Sequence, residues 1–529
     1  MTESNRRKLP VGIQSFEEIR RGGYLYVDKT DIIWKLTNEG KKFNYLSRPR
    51  RFGKSVLIDT LEAYFKCKKD LFEGLKIMKL EKNWKQHPII RLDMSNGGDN
   101  ADDLRSYLSN AFSKYEKTYN ICINPSDSLA VRFGNIIEAA KKSTGEGTVI
   151  LIDEYDSPLQ HSWKTPQHEA CTSVYRSVFS VLKSQDINER FVFITGITKF
   201  TQISLFSVLN NLSNISFDAE YAAICGITKA EVITNFAPEI KQMGEANGWG
   251  VELSIEKLKN FYDGYHFSRK NMIDVFNPYS LINALCDKEL RNYWSSSGAT
   301  SLLPKFVDNL DVKLKDLEHS ALLSTIIETS DVTGGGAELF LYQSGYLTIK
   351  GYVSGTYLLG IPNHEVKQAL NEVVLPALAM RKSSDIQSTQ AFLNLNLNAG
   401  HLPEAMKCLK ALIADVPYSN KKLASMDMEE RYRLIMSTIF NAIGCRVEVE
   451  KMMATGRIDM VVETIHYIYI LELKLTNNGG LVAAERQMKD RLYTEPFKAD
   501  KRQVIALAIE LDNKGKGMTN WKKVELHTS

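Results

Sequence analysis

The amino-acid sequence predicts an α/β fold, and two observations support this prediction. Short runs such as 148–153 (TVILID) and 190–197 (RFVFITGI) are mostly apolar without strict alternation, as in strands that are buried on both faces. Helical stretches such as 102–119 separate these runs along the chain. A succession of strand, helix and strand predicts a parallel sheet with helices on both of its faces.

Changes of pattern along the chain predict three domains. Residues 1–230 carry the alternating strands and helices. Residues 231–424 are mostly helical, and a hairpin that turns at Ser354 and Gly355 would suit a winged-helix-like lid. Residues 425–529 return to strands, at RVEVEKM, RIDMVVE, YIYILELKL and QVIALAIEL, with one helix among them. We therefore expect an α/β domain at each end of the chain and a mostly helical region between them.

The bulk composition is that of a globular protein and excludes some classes. The chain has 529 residues, of which 43% are hydrophobic and 25% charged, and a net charge of +4 that is too small to indicate nucleic-acid binding by itself. Seven scattered cysteines without a CxxC pair argue against a disulfide framework or a zinc site. The sequence shows no signal-peptide core and no apolar run of membrane-spanning length, so we expect a cytoplasmic protein that does not enter the membrane.

A phosphate-binding pattern follows the expected strand at 43–47, in the segment NYLSRPRRFGKSVLIDTL. Gly53 permits a close approach of the backbone to phosphate oxygens, Lys54 supplies charge for the β- and γ-phosphates, and Ser55 supplies a hydroxyl for Mg²⁺. The helix that begins at Ser55 would turn its positive end towards the phosphates. The departure from the usual pattern is Arg48, which stands where such a loop has its first glycine.

A pair of acids ends the apolar run VILI about a hundred residues later. Asp153 would hold Mg²⁺ through water, and Glu154 would orient the attacking water. The alternative is that Asp153 caps the next turn and Lys54 is a solvated surface lysine. Thr195, at the tip of another strand, would sense the γ-phosphate, or else Thr195 and Thr198 simply lie in an ordinary loop.

Further positive charge at the phosphates would come from Arg48, Arg50 and Arg51. These arginines would replace some contacts that a glycine-rich loop makes through its amides. Pro49 would stiffen the turn between them. The complete predicted nucleotide-binding set lies in the loop and at the strand tips that face it: Arg48, Arg50, Arg51, Phe52, Gly53, Lys54, Ser55, Val56, Asp153 and Thr195.

These segments resemble a known family. LPVGIQSFEEIRRGGYLYVDKTDII, SRPRRFGKSVLIDTL, LIDEYDSPL and FITGITKF are similar to blocks of the AAA-ATPase-like family of bacterial proteins, which carries Arg-Pro-Arg-Arg-Phe-Gly-Lys-Ser at the phosphate loop. The resemblance covers residues from about 9 to 365 and implies a P-loop NTPase sheet that binds ATP with Mg²⁺. Two questions stay open: whether Tyr26, Asp28 and Lys29 line the adenine pocket or only fix the first helix, and whether Arg176 or Arg190 is an arginine finger.

A second group of charged residues lies in apolar strands near the end of the sequence. Glu472 and Lys474 are two residues apart in YIYILELKL, so both side chains point to one face of that strand. Asp459 lies in the preceding strand and would converge with Glu472 if the two strands form a hairpin. The two carboxylates and the carbonyl group of Leu473 would bind Mg²⁺ or Mn²⁺, and Lys474 would hold the metal-bound water. The alternative is a cluster of salt bridges that includes Arg457.

This pattern, Asp and then Glu-x-Lys on adjacent strands, resembles the PD-(D/E)XK nuclease superfamily over about residues 425–512. Ile458 stands where the name of the superfamily has proline. The resemblance implies a restriction-endonuclease-like α/β domain that cleaves nucleic acid with Asp459, Glu472 and Lys474. It also suggests Glu430 as an acid from the preceding helix and Gln487 as a helix glutamine near the site, while Glu450 is a further acid close by in sequence.

The two sites predict an ATP-binding P-loop ATPase coupled to a metal-dependent nuclease-like domain that acts on nucleic acid, with DNA favoured over RNA, in defence or DNA processing. Its expected catalytic residues are Glu154, Asp459, Glu472 and Lys474, and its expected metal ligands are Ser55, Asp153, Asp459 and Glu472. The alternative is an ATP-dependent switch or scaffold whose nuclease-like domain binds nucleic acid or protein without cleavage. Assembly into a homo-oligomer stays open.

Overall fold

The computed structural model describes two compact units, each with its own sheet. The described residues are 8–124, 126–198, 211–295, 320–329, 336–379, 383–416, 426–453, 456–491, 493–497, 500 and 502–525. Among these, residues up to 293 and 320–362 form the first unit, and residues 294–295 and 363–525 form the second. The expected middle domain is therefore shared between the two units, and the division into three domains stays a prediction.

A parallel sheet of five strands forms the centre of the first unit. Its strands are β1 (Phe43–Ser47), β2 (Ile89–Asp93), β3 (Thr148–Asp153), β4 (Glu189–Gly196) and β5 (Ser213–Asn214). They lie in the order β2-β3-β4-β1-β5, and all of their pairings are parallel, which confirms the predicted sheet. The carboxyl ends of parallel strands share one edge, so the phosphate loop after β1 and the acids after β3 lie along the same edge with the tip of β4 between them.

Helices surround this sheet, and their sequences explain where they begin and which side they bury. In the helix Ala101–Thr118, the Asn100 side chain accepts hydrogen bonds from the amides of Asp102 and Asp103 and so caps the first turn. Leu104, Leu108 and Phe112 of the same helix recur at intervals of four and are fully buried. The α-helices that precede β4 along the chain are Phe16–Arg21, Thr30–Asn38, Lys54–Phe65, Ile77–Leu80, Ala101–Thr118, Leu129–Thr144, Ser157–Ser162, His168–Phe179 and Val181–Ser184.

The rest of the first unit is a helical layer with two small sheets. β6 (Ile227–Thr228) pairs with β7 (Val275–Phe276), and β8 (Ser320–Leu323), β9 (Thr348–Val353) and β10 (Thr356–Gly360) form an antiparallel sheet. The turn of the β9–β10 hairpin consists of Ser354 and Gly355, both with positive φ, which confirms the predicted hairpin. The helices of this layer are Lys229–Asn235, Ala237–Asn247, Val251–Tyr262, Pro278–Asp287, Ser324–Thr329 and Gly336–Ser344.

The second unit contains a mixed sheet of five strands, in agreement with a nuclease-like α/β domain. Its strands are β11 (Arg446–Met453), β12 (Gly456–Glu463), β13 (Tyr467–Leu475), β14 (Gln503–Leu511) and β15 (Met518–Val524), in sequential order. Only β13 and β14 are parallel. The helix between these two strands, Gly480–Asp490, buries Ala484 and Met488 against the sheet. The remaining helices of the unit are His364–Ala379, Ser383–Ala399, Leu402–Ala414 and Met428–Ala442.

None of the helices in the part of the chain that the structure describes combines the length and the apolar character that crossing a bilayer requires.

The last residue of β4 is a glycine because two side chains approach it closely. A Cβ atom at Gly196 would lie 2.6 Å from ring carbons of Tyr155 and 2.7 Å from a carboxylate oxygen of Asp156. We therefore expect Gly196→Ala to lower the free energy of unfolding by about 1–3 kcal/mol. The matched change Gly351→Ala, where the new Cβ would make only ordinary contacts with Leu358, should change it by less than about 0.5 kcal/mol. Equal denaturant midpoints for the two variants would contradict this explanation.

Candidate functional site

The phosphate loop leaves open space above the start of the next helix. Gly53, with φ of 87°, precedes the helix Lys54–Phe65, and a Cβ atom there would meet no atom within 4 Å. Arg51 also has a positive φ, of 68°, which is uncommon for a residue with a side chain. The first amides of a helix have no partner within the helix, and with the positive end of the helix dipole they are suited to an anionic ligand.

Lys54 is buried and bonded to its own loop. Its ammonium group donates hydrogen bonds to the carbonyl oxygens of Arg48 and Pro49, both at 3.0 Å, and the residue is only 5% exposed. Burial lowers the pKa of Lys54, and the carboxylates of Glu154 and Asp153 oppose that effect. The charges of the loop lysine and of the acids at the end of β3 therefore influence one another.

The acid pair after β3 is held by the tip of β4. The buried carboxylate of Asp153 accepts hydrogen bonds from the hydroxyl of Thr195 at 2.5 Å and from the amide of Glu154 at 3.0 Å. Glu154 has φ of 47°, a conformation that costs on the order of 1–3 kcal/mol and that is concentrated at functional sites. Burial raises the pKa of Glu154, although Lys54 acts to lower it. A carboxylate with a raised pKa is suited to accept a proton from water.

Asp156 is a structural member of the site that sequence reasoning missed. Its fully buried carboxylate accepts hydrogen bonds from the amide of Ile197 and from both the amide and the hydroxyl of Thr198, the last two at 2.6 Å. The hydroxyl of Thr198 is thus committed to Asp156, whereas Thr195 contacts the acid pair. The available signal was the third acid of the segment DEYD.

The remaining loop residues divide between packing and charge. Phe52 is buried, with its ring 4.7 Å from that of Tyr265 and 5.4 Å from that of Phe267. The guanidinium group of Arg51 lies 4.6 Å from the centre of the Tyr279 ring. The charge of Arg50 acts to lower the pKa of Glu154. Ser55 and Val56 are half-buried in the first turn of the helix.

The structure also locates the residues for which the sequence left alternatives open. Asp28 accepts hydrogen bonds from the amide and the hydroxyl of Thr30, at 2.9 and 2.6 Å, and so holds the start of the helix Thr30–Asn38. Lys29 forms a 2.6 Å ion pair with Glu231. These contacts support a structural part for both residues.

The contacts of Arg176 and Arg190 do not identify either residue as an arginine finger. Arg190 donates to the carbonyl oxygen of Thr37 near the amino end of β4, the end opposite to the phosphate loop. Arg176 lies 3.6 Å from Glu169. The choice of a finger therefore stays open.

In the second unit, the register of two strands places the predicted carboxylates together. The β12–β13 ladder ends with the pair Met460 and Leu471, so the next opposing residues are Asp459 and Glu472, whose side chains share one face of the sheet. The ladder gives way at this point because the carboxylate of Asp459 accepts a hydrogen bond from the amide of Leu473, at 2.9 Å. The expected convergence of the two acids is therefore present.

Glu472 is a fully buried acid with one uncommitted oxygen. Its Oε1 accepts a hydrogen bond from the ammonium group of Lys474 at 2.9 Å, while its Oε2 is buried and has no hydrogen-bond partner among the described residues. Burial and the charge of Asp459 raise the pKa of Glu472 to about 7, against the effect of Lys474. Burial alone would lower the pKa of Lys474, but the acids around it raise it instead.

The donor set fits a hard divalent cation in part. Asp459 and the free Oε2 of Glu472 provide the carboxylate oxygens that Mg²⁺ and Mn²⁺ prefer. Across the described stretches of the chain, no three histidine, cysteine, aspartate or glutamate side chains lie close enough together to hold a metal. A cation at this site would therefore also take ligands from backbone carbonyl groups and water.

The helix Met428–Ala442 brings an acid into the electrostatic surroundings of this site. The charge of Asp459 acts to raise the pKa of Glu429, after the larger effect of burial, and Lys474 acts to lower it. Sequence reasoning did not single out Glu429, and the suggested part for Glu430 in the same helix turn stays a prediction.

Two other suggested residues have identified contacts. Gln487 donates to the hydroxyl of Tyr493 at 2.9 Å, and Tyr493 donates to the carbonyl oxygen of Arg457 at 2.7 Å. Glu450 forms ion pairs with Arg433 and Arg457. Gln487 is therefore linked to the strand of Asp459, and Glu450 is committed to two arginines.

Comparisons with known proteins agree with this architecture. A family model described as "Predicted AAA-ATPase" matches residues 10–206, and a model of the PD-(D/E)XK nuclease superfamily matches residues 427–521. The "Uncharacterized protein in vnfD 5'region" of Azotobacter chroococcum mcd 1 is 31% identical over 528 residues, which cover 98% of this chain and 99% of that protein. The chain belongs to this family of AAA-ATPase-like proteins with a C-terminal PD-(D/E)XK nuclease domain.

One solved structure was also compared with this AAA-ATPase-like protein. Cdc6p from Pyrobaculum aerophilum is 12% identical, with 70% of this chain and 96% of that chain covered. The TM-score of this match is 0.21.

The buried acid of the nuclease-like domain predicts a pH-dependent stability. Because the pKa of Glu472 rises from 4.5 to about 7 on folding, the folded state binds a proton more tightly than the unfolded state, and stability falls as pH rises between these values. In metal-free protein, Glu472→Gln should remove a loss on the order of 2–3 kcal/mol between about pH 5 and pH 8. Denaturant unfolding at both pH values measures the effect, with the exposed Glu404→Gln as the control. The same pH dependence in wild type and Glu472→Gln would contradict the assignment.

Proposed function

We propose that this protein is a P-loop ATPase whose turnover controls a metal-dependent nuclease-like domain that acts on nucleic acid. One observation supports this proposal above the others: each of the two matched domains has a lysine whose charge interacts with those of two carboxylates, with Lys54 buried and Lys474 half-buried. Such groups are costly to bury unless a ligand or a reaction uses them.

In the ATPase domain the proposed parts follow from the contacts. Lys54 exchanges its loop carbonyl partners for phosphate oxygens, and Ser55 and Asp153 hold Mg²⁺, the cation that offsets the phosphate charge in such reactions. Glu154 orients the attacking water and accepts its proton. Thr195 fixes the carboxylate of Asp153 through its hydroxyl. Arg50 and Arg51 add positive charge at the rim of the loop.

In the nuclease-like domain the proposed reaction is hydrolysis of a phosphodiester bond. Asp459 and Glu472 bind Mg²⁺ or Mn²⁺, which would lower the pKa of a bound water and offset charge on the phosphate. Lys474 lies 2.9 Å from Glu472, so its ammonium group can hold and orient the water beside that carboxylate. Glu429 adds a further acid on the same side.

A second candidate function has its own observation. Lys474 is paired with Glu472, and the described side chains form no three-acid cluster for a metal. These contacts favour a switch or scaffold in which the nuclease-like domain binds nucleic acid or protein without cutting it. We rank this candidate below hydrolysis because the free oxygen of Glu472 is left unexplained by it.

The two candidates are separated by single substitutions in the full chain. With supercoiled plasmid DNA, ATP and Mn²⁺, wild type should nick the plasmid, and Lys474→Ala should lower nicking by at least about a hundredfold with ATP turnover nearly unchanged. Glu154→Gln should lower ATP turnover by about a hundredfold while ATP still binds. Lys54→Ala should lose both binding and turnover of ATP.

The control for Lys474 is Lys489→Ala, since Lys489 is also paired with a glutamate but is about half exposed on the helix Gly480–Asp490. This variant should nick at the wild-type rate. DNA binding without any cleavage by wild type, unchanged in Lys474→Ala, would favour the scaffold. Nicking that survives Lys474→Ala would refute the assigned site.

A further inference from the structure

Arg48, which replaces the first glycine of the phosphate loop, directs its side chain into the protein. Its guanidinium group donates hydrogen bonds to the carbonyl oxygens of Ser47 at 2.8 Å, Ser216 at 3.0 Å and Tyr221 at 3.0 Å. The residue is 1% exposed. The side chain therefore joins the end of β1 to the segment that follows β5, and it is committed to carbonyl groups in place of a phosphate.

A buried arginine bonded to neutral partners needs a compensating contact. The guanidinium carbon of Arg48 lies 4.1 Å from the centre of the Phe267 ring, close enough for a cation–π interaction. Burial lowers the pKa of Arg48 to about 10, so the group remains charged at neutral pH. Over the residues that the structure describes, no carboxylate pairs with it. An arrangement this costly suggests a specific use.

The backbone of the same residue holds the lysine of the site. The carbonyl oxygen of Arg48 and that of Pro49 accept the two hydrogen bonds of the Lys54 ammonium group, and the amide of Arg48 donates to the carbonyl oxygen of Gly196 at 3.2 Å. The side chain of Arg48 thus fixes the turn whose carbonyl groups orient Lys54.

One aromatic ring contacts both ends of the loop. Phe267 lies under the guanidinium group of Arg48 and also packs edge-on against Phe52, with ring centres 5.4 Å apart. A loop that is held at both ends in this way needs less glycine to keep its shape.

We propose that Arg48 is a positioning residue of the ATP site, which clamps the loop so that Lys54 stays aimed at the acid pair. This clamp consists of Arg48, Phe267 and the carbonyl groups of Ser47, Ser216 and Tyr221. It holds the shape of the loop, as the glycine-rich turn does in the usual loop. The inference rests on the proposed ATPase function.

Steady-state ATP turnover by the full chain tests the clamp. Arg48→Gly restores the usual loop residue, and Arg48→Lys keeps the charge but loses the planar fork that serves three carbonyl groups. Both should lower kcat about tenfold or more and change KM for ATP by less than about threefold, because an aimed lysine matters most for charge that develops in the transition state. Arg20→Lys is the matched control, since the guanidinium group of Arg20 also donates to carbonyl oxygens, those of Leu71 and Glu73, and it should leave both constants unchanged.

A second measurement does not depend on activity. Acylation of lysines by an N-hydroxysuccinimide ester, read by mass spectrometry on the nucleotide-free chain, should modify Lys54 about fivefold faster in Arg48→Gly than in wild type. The same variant should not speed modification of other lysines, and Arg20→Lys should not speed that of Lys54. Phe267→Leu, which removes the ring but keeps an apolar side chain, should also raise the rate at which Lys54 is modified.

The outcomes separate the clamp from the ATPase proposal. Wild-type kcat in a folded Arg48→Gly or Arg48→Lys, or unchanged protection of Lys54 in the Arg48 and Phe267 variants, would overturn the clamp. Wild type without any Lys54-dependent ATP turnover would overturn the proposed function, and the labelling result would still decide whether Arg48 holds Lys54. Loss of folding by all three variants, with Arg20→Lys folded, would make Arg48 a residue of stability only and would also overturn the proposal.

Discussion

The cost of burying ionised groups is the constraint on which both candidate centres depend. Lys54, Asp153, Asp459 and Glu472 are each 5% exposed or less, and burying such groups is costly unless they are paired or bound to a ligand. In each unit a lysine and two carboxylates offset one another's charge, which makes burial tolerable without any ligand. The offset is incomplete, since an oxygen of Glu472 has no hydrogen-bond partner among the described residues. This residual cost is what a bound cation or phosphate would remove.

The fold meets this constraint by strand order in one unit and by a broken ladder in the other. In the parallel sheet, β4 lies between β1 and β3, so its tip carries Thr195 to the carboxylate of Asp153. In the mixed sheet, the β12–β13 ladder stops just before the acids, where the amide of Leu473 donates a hydrogen bond to the carboxylate of Asp459. Backbone geometry therefore positions the residues of both sites, and the clamp at Arg48 positions the phosphate loop.

Strand periodicity made much of this predictable from the sequence. The shared face of Asp459 and Glu472 and the alignment of the phosphate loop with Asp153 follow from rules that need only local pattern and parallel topology. Contacts between residues far apart in the sequence could not be predicted in that way. The electrostatic link of Glu429 to Asp459 depends on how a helix is rotated against the sheet, and the inward direction of Arg48 depends on Ser216, Tyr221 and Phe267, far along the chain.

The most direct test of the central claim is anomalous diffraction from crystals of the full chain grown with Mn²⁺ and a non-hydrolysable ATP analogue. The account predicts two manganese peaks, one beside Ser55 and Asp153 with Lys54 on the phosphates, and one bridging Asp459 and the free oxygen of Glu472. Manganese bound only at other residues, with Lys54 still on its loop carbonyl groups and Glu472 still without a cation, would contradict it.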